Sequence, residues 1–352
     1  KAAGAAPSKD RKTPNILWIM MDDGRADAVG CYGRPWARTP NMDSIAHRGV
    51  RFDTAIVQNP VCVPSRMSMM TSQYPHTLGV MAMGKPAQTP PPYLPETQAE
   101  YPHLLSPWKD AKIIPTTIGK THAFGRAWKH GKDAPATISH SGEPATPEIA
   151  EMIKKNAANN PWPIVRTKTH GWMIGGTVPI PPEETRTWKL GDNAVALLES
   201  LARGDDPFFL RVSFHAPHVA VRVPPEYRID PDSIELPLPT EEELASKPRF
   251  EREGLRTYAG GLDLTPEQIG IARGSYYGMV WLVDTQVGRL LDVLRRTGRL
   301  DNTIIAINSD QGFQLGEHGL WKKRVFYEQN VKVPFILSGP GLPRGKVIDE
   351  PV

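Results

Sequence analysis

Cysteine is scarce in this chain: 352 residues contain two, Cys31 and Cys62. Two cannot build the disulfide framework of a small secreted scaffold, and they leave the redox compartment undecided. Long apolar runs are missing as well. None approaches the roughly 20 residues that a membrane-spanning helix needs, so no membrane span is expected. Charge of one sign is also absent, since 42 basic and 38 acidic residues leave a net +4 with no dense Lys/Arg block. That balance excludes the basic footprint of a nucleic-acid-binding surface. What the chain does have is bulk and proline. Its length suits one large α/β domain or two smaller ones. A hydrophobic content of 39% and a charged content of 23% are ordinary for a soluble globular protein, and 36 prolines imply long irregular surface loops.

Residues 1–12 are Ala/Lys-rich and polar, and read as a disordered lead-in. They fit the stub left by a cleaved signal peptide or an appended leader. Residues 15–21 (Asn-Ile-Leu-Trp-Ile-Met-Met) form an apolar run that ends abruptly at Asp22-Asp23-Gly24. Without polar alternation, such a run suits a strand buried on both faces, and ligands of open α/β sheets sit beyond the carboxyl ends of strands. Adjacent carboxylates there repel each other. A divalent cation is the usual remedy; a cap or turn aspartate is the plain alternative.

Residues 39–49 read as a short helix with Thr39 as cap and Pro40 first, and 51–57 as a second strand. The stretch Pro60-Val61-Cys62-Val63-Pro64-Ser65-Arg66 follows. Its prolines predict an extended approach and a helix starting at Pro64 or Ser65, with Cys62 just ahead and Arg66 in the first turn. The helix dipole would then lower the thiol pKa, unless Cys62 is simply a small buried hydrophobe. Residues 112–118 predict a strand ending in Gly119-Lys120-Thr121-His122. Extended backbone would turn Lys120 and His122 to one side.

Residues 79–107, 123–186 and 223–263 read as long loop insertions. Trp162, His170, Trp172 and Trp188 either line a pocket or plug a satellite core. A helix is expected at 192–201, and a strand at 207–214 running into His215-Ala216-Pro217-His218. Residues 266–297 carry an apolar stripe from Ile269 to Leu294 at helical spacing, ended by Gly298. Residues 302–308 predict another buried strand, capped by Ser309-Asp310-Gln311-Gly312; Gly316-Glu317-His318-Gly319 and Trp321-Lys322-Lys323 follow, then a last strand at 332–338. Polar clusters thus fall at four strand ends: Asp22/Asp23, Lys120/His122, His218 and Asp310/Gln311. Hard oxygen ligands, several basic groups and one special cysteine suit a tetrahedral oxyanion ester.

In this order the segments resemble the type I, formylglycine-dependent sulfatases of the alkaline phosphatase superfamily, over residues 14–341. Cys62-Val63-Pro64-Ser65-Arg66 matches the signature C-x-P-x-R, continued by Ser72-Gln73-Tyr74-Pro75-His76. The opening motif lies at Pro14 to Asp23 with Gly30-Cys31-Tyr32-Gly33, and the Lys120, His218, Asp310 and Gly316 segments match the rest. The resemblance implies an α/β fold with a large, mostly parallel central sheet flanked by helices, residues 13–352 being the catalytic domain. It implies a further C-terminal antiparallel subdomain that this chain lacks, whose absence would expose an apolar face.

The activity implied is sulfuric ester hydrolysis. Cys62 is oxidised to formylglycine by a maturation enzyme that recognises Pro64 and Arg66. One hydroxyl of the hydrate attacks sulfur, and the second expels sulfate from the covalent intermediate. Asp22, Asp23, Asp310 and Gln311 would bind calcium, with magnesium the alternative. Arg66 would hold the formylglycine and the anion, and Lys120 and Lys323 would neutralise sulfate oxygens. His122 would take the proton of the second hydroxyl, His218 with Lys323 would protonate the leaving alcohol, and Asp310 would help deprotonate the attacking hydroxyl. Gln311 stands where many relatives have Asn or His. Ser-Asp-Gln-Gly occurs in polysaccharide-directed sulfatases, so the expected substrate is a sulfated saccharide rather than a small aryl sulfate. Alternatives are a phosphonate or phosphate monoester hydrolase of the same superfamily, or a catalytically silent glycan-binding relative. A secreted or periplasmic location is expected, with the cytoplasm still open.

Overall fold

The computed structural model describes residues 13–82, 104, 113–122, 136–138, 147–156, 160–168, 171–249 and 264–352. The expected lead-in, His170 and most of the 79–107 loop lie outside them, as do parts of the two later insertions. The strands are β1 (Asn15–Asp22), β2 (Val50–Ile56), β3 (Thr116–Gly119), β4 (Ala136–Ile138), β5 (Val165–Arg166), β6 (Met173–Gly175), β7 (Phe209–Pro217), β8 (Thr303–Ser309), β9 (Gln314–Leu315), β10 (Trp321–Lys322), β11 (Lys332–Ser338) and β12 (Lys346–Ile348). The α-helices are α1 (Pro40–His47), α2 (Cys62–Thr71), α3 (Pro147–Asn156), α4 (Arg186–Arg203), α5 (Glu241–Ser246), α6 (Pro266–Arg296) and α7 (Glu328–Val331).

Eight strands form one sheet in the order β12-β2-β11-β8-β1-β7-β3-β4. Only β11 runs against its neighbours; every other pair is parallel. β1 is bonded on both edges, to β7 and β8, and Leu17, Ile19, Met20 and Met21 are buried. That setting explains the unbroken apolar run, because neither face meets water. The carboxyl ends of β1, β3, β7 and β8 therefore lie side by side, and all four polar clusters arrive at one sheet edge.

Helix α6 is the largest element on one face. Its stripe Ile269, Ala272, Tyr276, Val280, Val283, Val287, Leu290, Leu291 and Leu294 is buried. Thr265 and Gln268 form a capping box at its start, and Gly298 leaves it in the left-handed region at φ 67°. Asp284 interrupts the stripe for a reason outside the helix: its carboxylate accepts from Met42 N at 2.8 Å and Asn41 N at 3.2 Å, capping α1. Burial raises this carboxyl to about 6 despite those bonds. The other face is covered by α2, where Met67 and Met70 pack with Trp18, Met20, Leu78 and Phe209.

Several local expectations are corrected. Helix α2 starts at Cys62, with Val61 as its extended cap, so Cys62 is inside the first turn and Arg66 in the second. Pro64 does not mark the start, because a first-turn residue needs no N–H partner and proline is tolerated there. β3 begins at Thr116 rather than 112, and α4 starts at Arg186, six residues early, on the cap Thr185. Trp162 and Trp172 pack against the main core rather than a satellite, and Trp188 lies under Arg289 at 5.0 Å. The sequence reading did not anticipate β12, which extends the sheet beyond β2. Ile56, Val347 and Val352 are exposed apolar residues beside that edge.

Candidate active site

β1 delivers Asp22 at its last position, and the chain then turns at Asp23, in the left-handed region at φ 68°. β8 delivers Asp310 and Gln311 alongside, and all four side chains are fully buried. Carboxylate oxygens of Asp22, Asp23 and Asp310 lie within 4.8 Å of one another. Three cations answer them singly. Arg66 Nε lies 2.6 Å from Asp310, Lys323 Nζ lies 2.6 Å from Asp23, and Lys120 pairs with Asp22. Cys62 Sγ sits where these pairs meet, 2.9 Å from Lys323 Nζ, 3.3 Å from Gln311 Nε2, 3.4 Å from Asp22 Oδ1 and 3.6 Å from Lys120 Nζ.

The turn into Lys120 needs glycine: Gly119 has φ 92°, and a Cβ there would run into the Ser213 carbonyl. Arg66 ties α2 to the sheet, donating also to Ser213 Oγ at 2.9 Å and to the Lys120 carbonyl at 3.0 Å. Burial and the carboxylates of Asp22, Asp310 and Asp23 push the Cys62 thiol up to about 12, which corrects the expectation of a dipole-lowered value. Asp22 stays well below the usual carboxylate range: burial works against it, but Lys120, His218, Lys323 and Arg66 prevail.

Two buried oxygens, Asp23 Oδ2 and Gln311 Oε1, have no hydrogen-bond partner among the described residues. Orphaned hard donors beside three carboxylates fit a divalent cation such as calcium, which takes several oxygen ligands in flexible geometry.

At the rim, His218 points Nε2 at Asp23 Oδ2, 3.9 Å away, while its Nδ1 lies 2.7 Å from the Val219 carbonyl, which fixes the tautomer. His122 does not follow the extended geometry expected of it. Its φ is 45°, and its side chain is exposed. Desolvation, with the charges of Lys120 and Arg66, lowers it to about 4. His215 meets Arg186 Nη2 at 2.5 Å, and burial, together with that guanidinium, lowers it to about 3. Lys322 lies against the Trp172 ring, and burial and Lys323 lower it to about 7.

Other contributors lie in or beside the motifs, but their partners are distant in sequence. Gly24 N donates to Ser309 Oγ at 2.8 Å and Asp23 N to Asp310 Oδ1 at 3.1 Å, so β8 casts the turn that follows β1. Beneath the site, Arg25 and Arg273 both hold Glu317 Oε1, at 2.7 and 2.9 Å, and Leu315 N donates to Oε2 at 2.7 Å. Burial opposes ionisation, yet Arg25 and Arg273 lower Glu317 to about 2. A depressed carboxyl stabilises the fold above its ordinary value of 4.5, and that contribution fades as pH falls toward about 2. Glu317→Gln is expected to cost about 3 kcal/mol at neutral pH and progressively less in acid, measured by urea unfolding at both.

The sheet thus carries buried carboxylates, paired cations and one cysteine at its carboxyl edge. The chain belongs to the sulfatase family, whose family model, Sulfatase, matches residues 14–352. Human iduronate 2-sulfatase is 29% identical over 346 residues, covering 93% of this chain and 60% of that protein. Choline-sulfatase of Rhizobium meliloti is 30% identical over 357 residues, covering 94% of this chain and 64% of that protein. The chain therefore spans less than two thirds of the length of these two relatives. The crystal structure of a phosphonate monoester hydrolase of Agrobacterium radiobacter superposes with a TM-score of 0.75 at 24% identity, covering 96% of this chain and 70% of that one; the likeness is one of fold. Among the described residues no helix is long and apolar enough to cross a membrane.

Proposed function

We propose that this chain is the catalytic part of a sulfuric ester hydrolase that releases inorganic sulfate from a sulfated saccharide, with Cys62, converted to formylglycine, at its centre. The observation that carries the reading is the position of Cys62 Sγ at the junction of Asp22, Gln311, Lys120 and Lys323. Formylglycine hydrate supplies a nucleophilic hydroxyl and a second hydroxyl through which sulfate is released, which a thiol cannot do. Asp22, Asp23, Asp310 and Gln311 would hold a divalent cation such as calcium, which would supply electrophilic stabilisation of an anionic ester.

The protein's own groups do the rest. Lys120 and Lys323 each hold one carboxylate and reach the nucleophile position, so they neutralise an anion bound there. Arg66 fixes α2 to the strand ends, and its Nη2, buried with no partner among the described residues, is a donor left for the anion or the formylglycine. His218 in its imidazolium form, with Nδ1–H held by the Val219 carbonyl and Nε2–H facing the site, gives the proton that the leaving alcohol needs, with Lys323 assisting. His122, a neutral imidazole at neutral pH, takes the proton of the second hydroxyl. Three buried carboxylates against Arg66, Lys120 and Lys323 are balanced, so a divalent cation leaves the site net positive and suited to an anionic ester.

The saccharide is favoured over a cationic ester such as choline sulfate. Lys322, Lys323 and Arg324 are consecutive, and Lys322 lies against Trp172. Consecutive cations beside the site disfavour the quaternary ammonium of choline. The activity test is comparative kinetics on an aryl sulfate and an aryl phosphonate, with calcium and with EDTA. Faster sulfate release, lost in EDTA, is expected; preference for the phosphonate would replace this reading with the phosphonate hydrolase.

A further inference from the structure

Asp23 is held in the left-handed region with one carboxylate oxygen unbonded among the described residues and its carboxylate clustered with those of Asp22 and Asp310, and something must hold it there. The hydroxyl of Tyr276, from the middle of α6, does this from both sides. It donates to the Asp23 carbonyl at 2.5 Å and accepts from Arg25 N at 2.9 Å. One phenol oxygen thus bridges the two ends of the turn, while Asp310 and Ser309 take the N–H groups of Asp23 and Gly24. The ring is fully buried, stacked on Phe313 with centroids 5.8 Å apart and edge-on to Tyr277 at 5.7 Å.

We infer that Tyr276 is a positioning residue for the divalent cation: its hydroxyl fixes the Asp22–Asp23 turn so that the Asp23 carboxylate is aimed at the ion before the ion arrives. The inference rests on the cation role proposed for Asp22, Asp23, Asp310 and Gln311. It concerns how the turn is held, which that role does not require. It predicts that deleting the hydroxyl alone weakens the ion more than it weakens the fold, because orienting groups outside the ligand shell set affinity through geometry.

The test is calcium titration by calorimetry on the whole protein, wild type and Tyr276→Phe, with melting temperatures in EDTA. Tyr276→Phe is expected to bind calcium roughly 10- to 100-fold more weakly, with melting in EDTA lowered no more than in Asp284→Asn. That second variant breaks comparable buried bonds at α1, away from the site, and should bind calcium as wild type does. Equal affinity in Tyr276→Phe and wild type would overturn the inference and leave the cation site standing. Loss of affinity accompanied by collapse of the EDTA-state melting would overturn it too, because the phenol would then hold the fold. Wild-type protein that binds neither calcium nor magnesium would remove the cation site and the inference together.

Discussion

Replacing Cys62 with alanine is expected to lower sulfate release by roughly 10⁶-fold in kcat, the scale seen when a covalent nucleophile is removed, while the protein stays folded and still binds calcium. The fold should survive because the groups around the sulfur have other partners. Lys120 keeps Asp22, and Lys323 and Gln311 keep Asp23. The cavity left by one sulfur is small. The carboxylates are untouched, so calcium affinity should be near wild type by calorimetry. Turnover and ion binding therefore separate in this variant. A Cys62→Ala protein with full turnover would mean that the nucleophile is elsewhere.

Arg66→Met should do the opposite and damage fold and site together. Arg66 is completely buried, and its partner Asp310 is buried with it. Methionine fills much of the same volume but, in protein stripped of its cation, leaves the buried carboxylate without a counter-charge. Breaking such a pair from one side costs about 3–5 kcal/mol, measurable as a shift in the urea midpoint. The Ser213 and Lys120 bonds go as well, so α2 loses its tie to β3 and β7. Adding Asp310→Leu removes the stranded charge and should return part of the stability without returning activity. If Arg66→Met is as stable as wild type, the pair is not the anchor described above.

The fold was legible where burial is written into local order. The run from Asn15 to Asp22 suited a two-sided strand and is one, and every residue of the expected α6 stripe is buried, though the helix buries residues outside that stripe as well. The site was legible in outline because polar residues stop apolar runs at Asp22, Lys120, His218 and Asp310, and a parallel sheet puts those stops on one edge. What sequence could not carry were bonds between distant residues. Tyr276 and Asp23 are 253 positions apart, and Arg25 and Glu317 are 292 apart. A tyrosine in an apolar stripe reads as packing, and an aspartate there, Asp284, reads as an anomaly until α1 is placed over it. Two errors were local in origin. Pro64 was read as a boundary although a first-turn proline costs nothing. His122 was read on extended backbone although the chain kinks there. The thiol pKa was misjudged because a dipole argument knows nothing of three carboxylates brought in from two other strands.

The central claim is that Cys62 does not work as a thiol. Mass spectrometry of the peptide spanning Val61 to Arg66 from catalytically active protein, with and without hydroxylamine, tests it most directly. The peptide is predicted to carry an aldehyde that hydroxylamine traps as an oxime, in a fraction that rises with specific activity. An unmodified cysteine throughout fully active protein would contradict it.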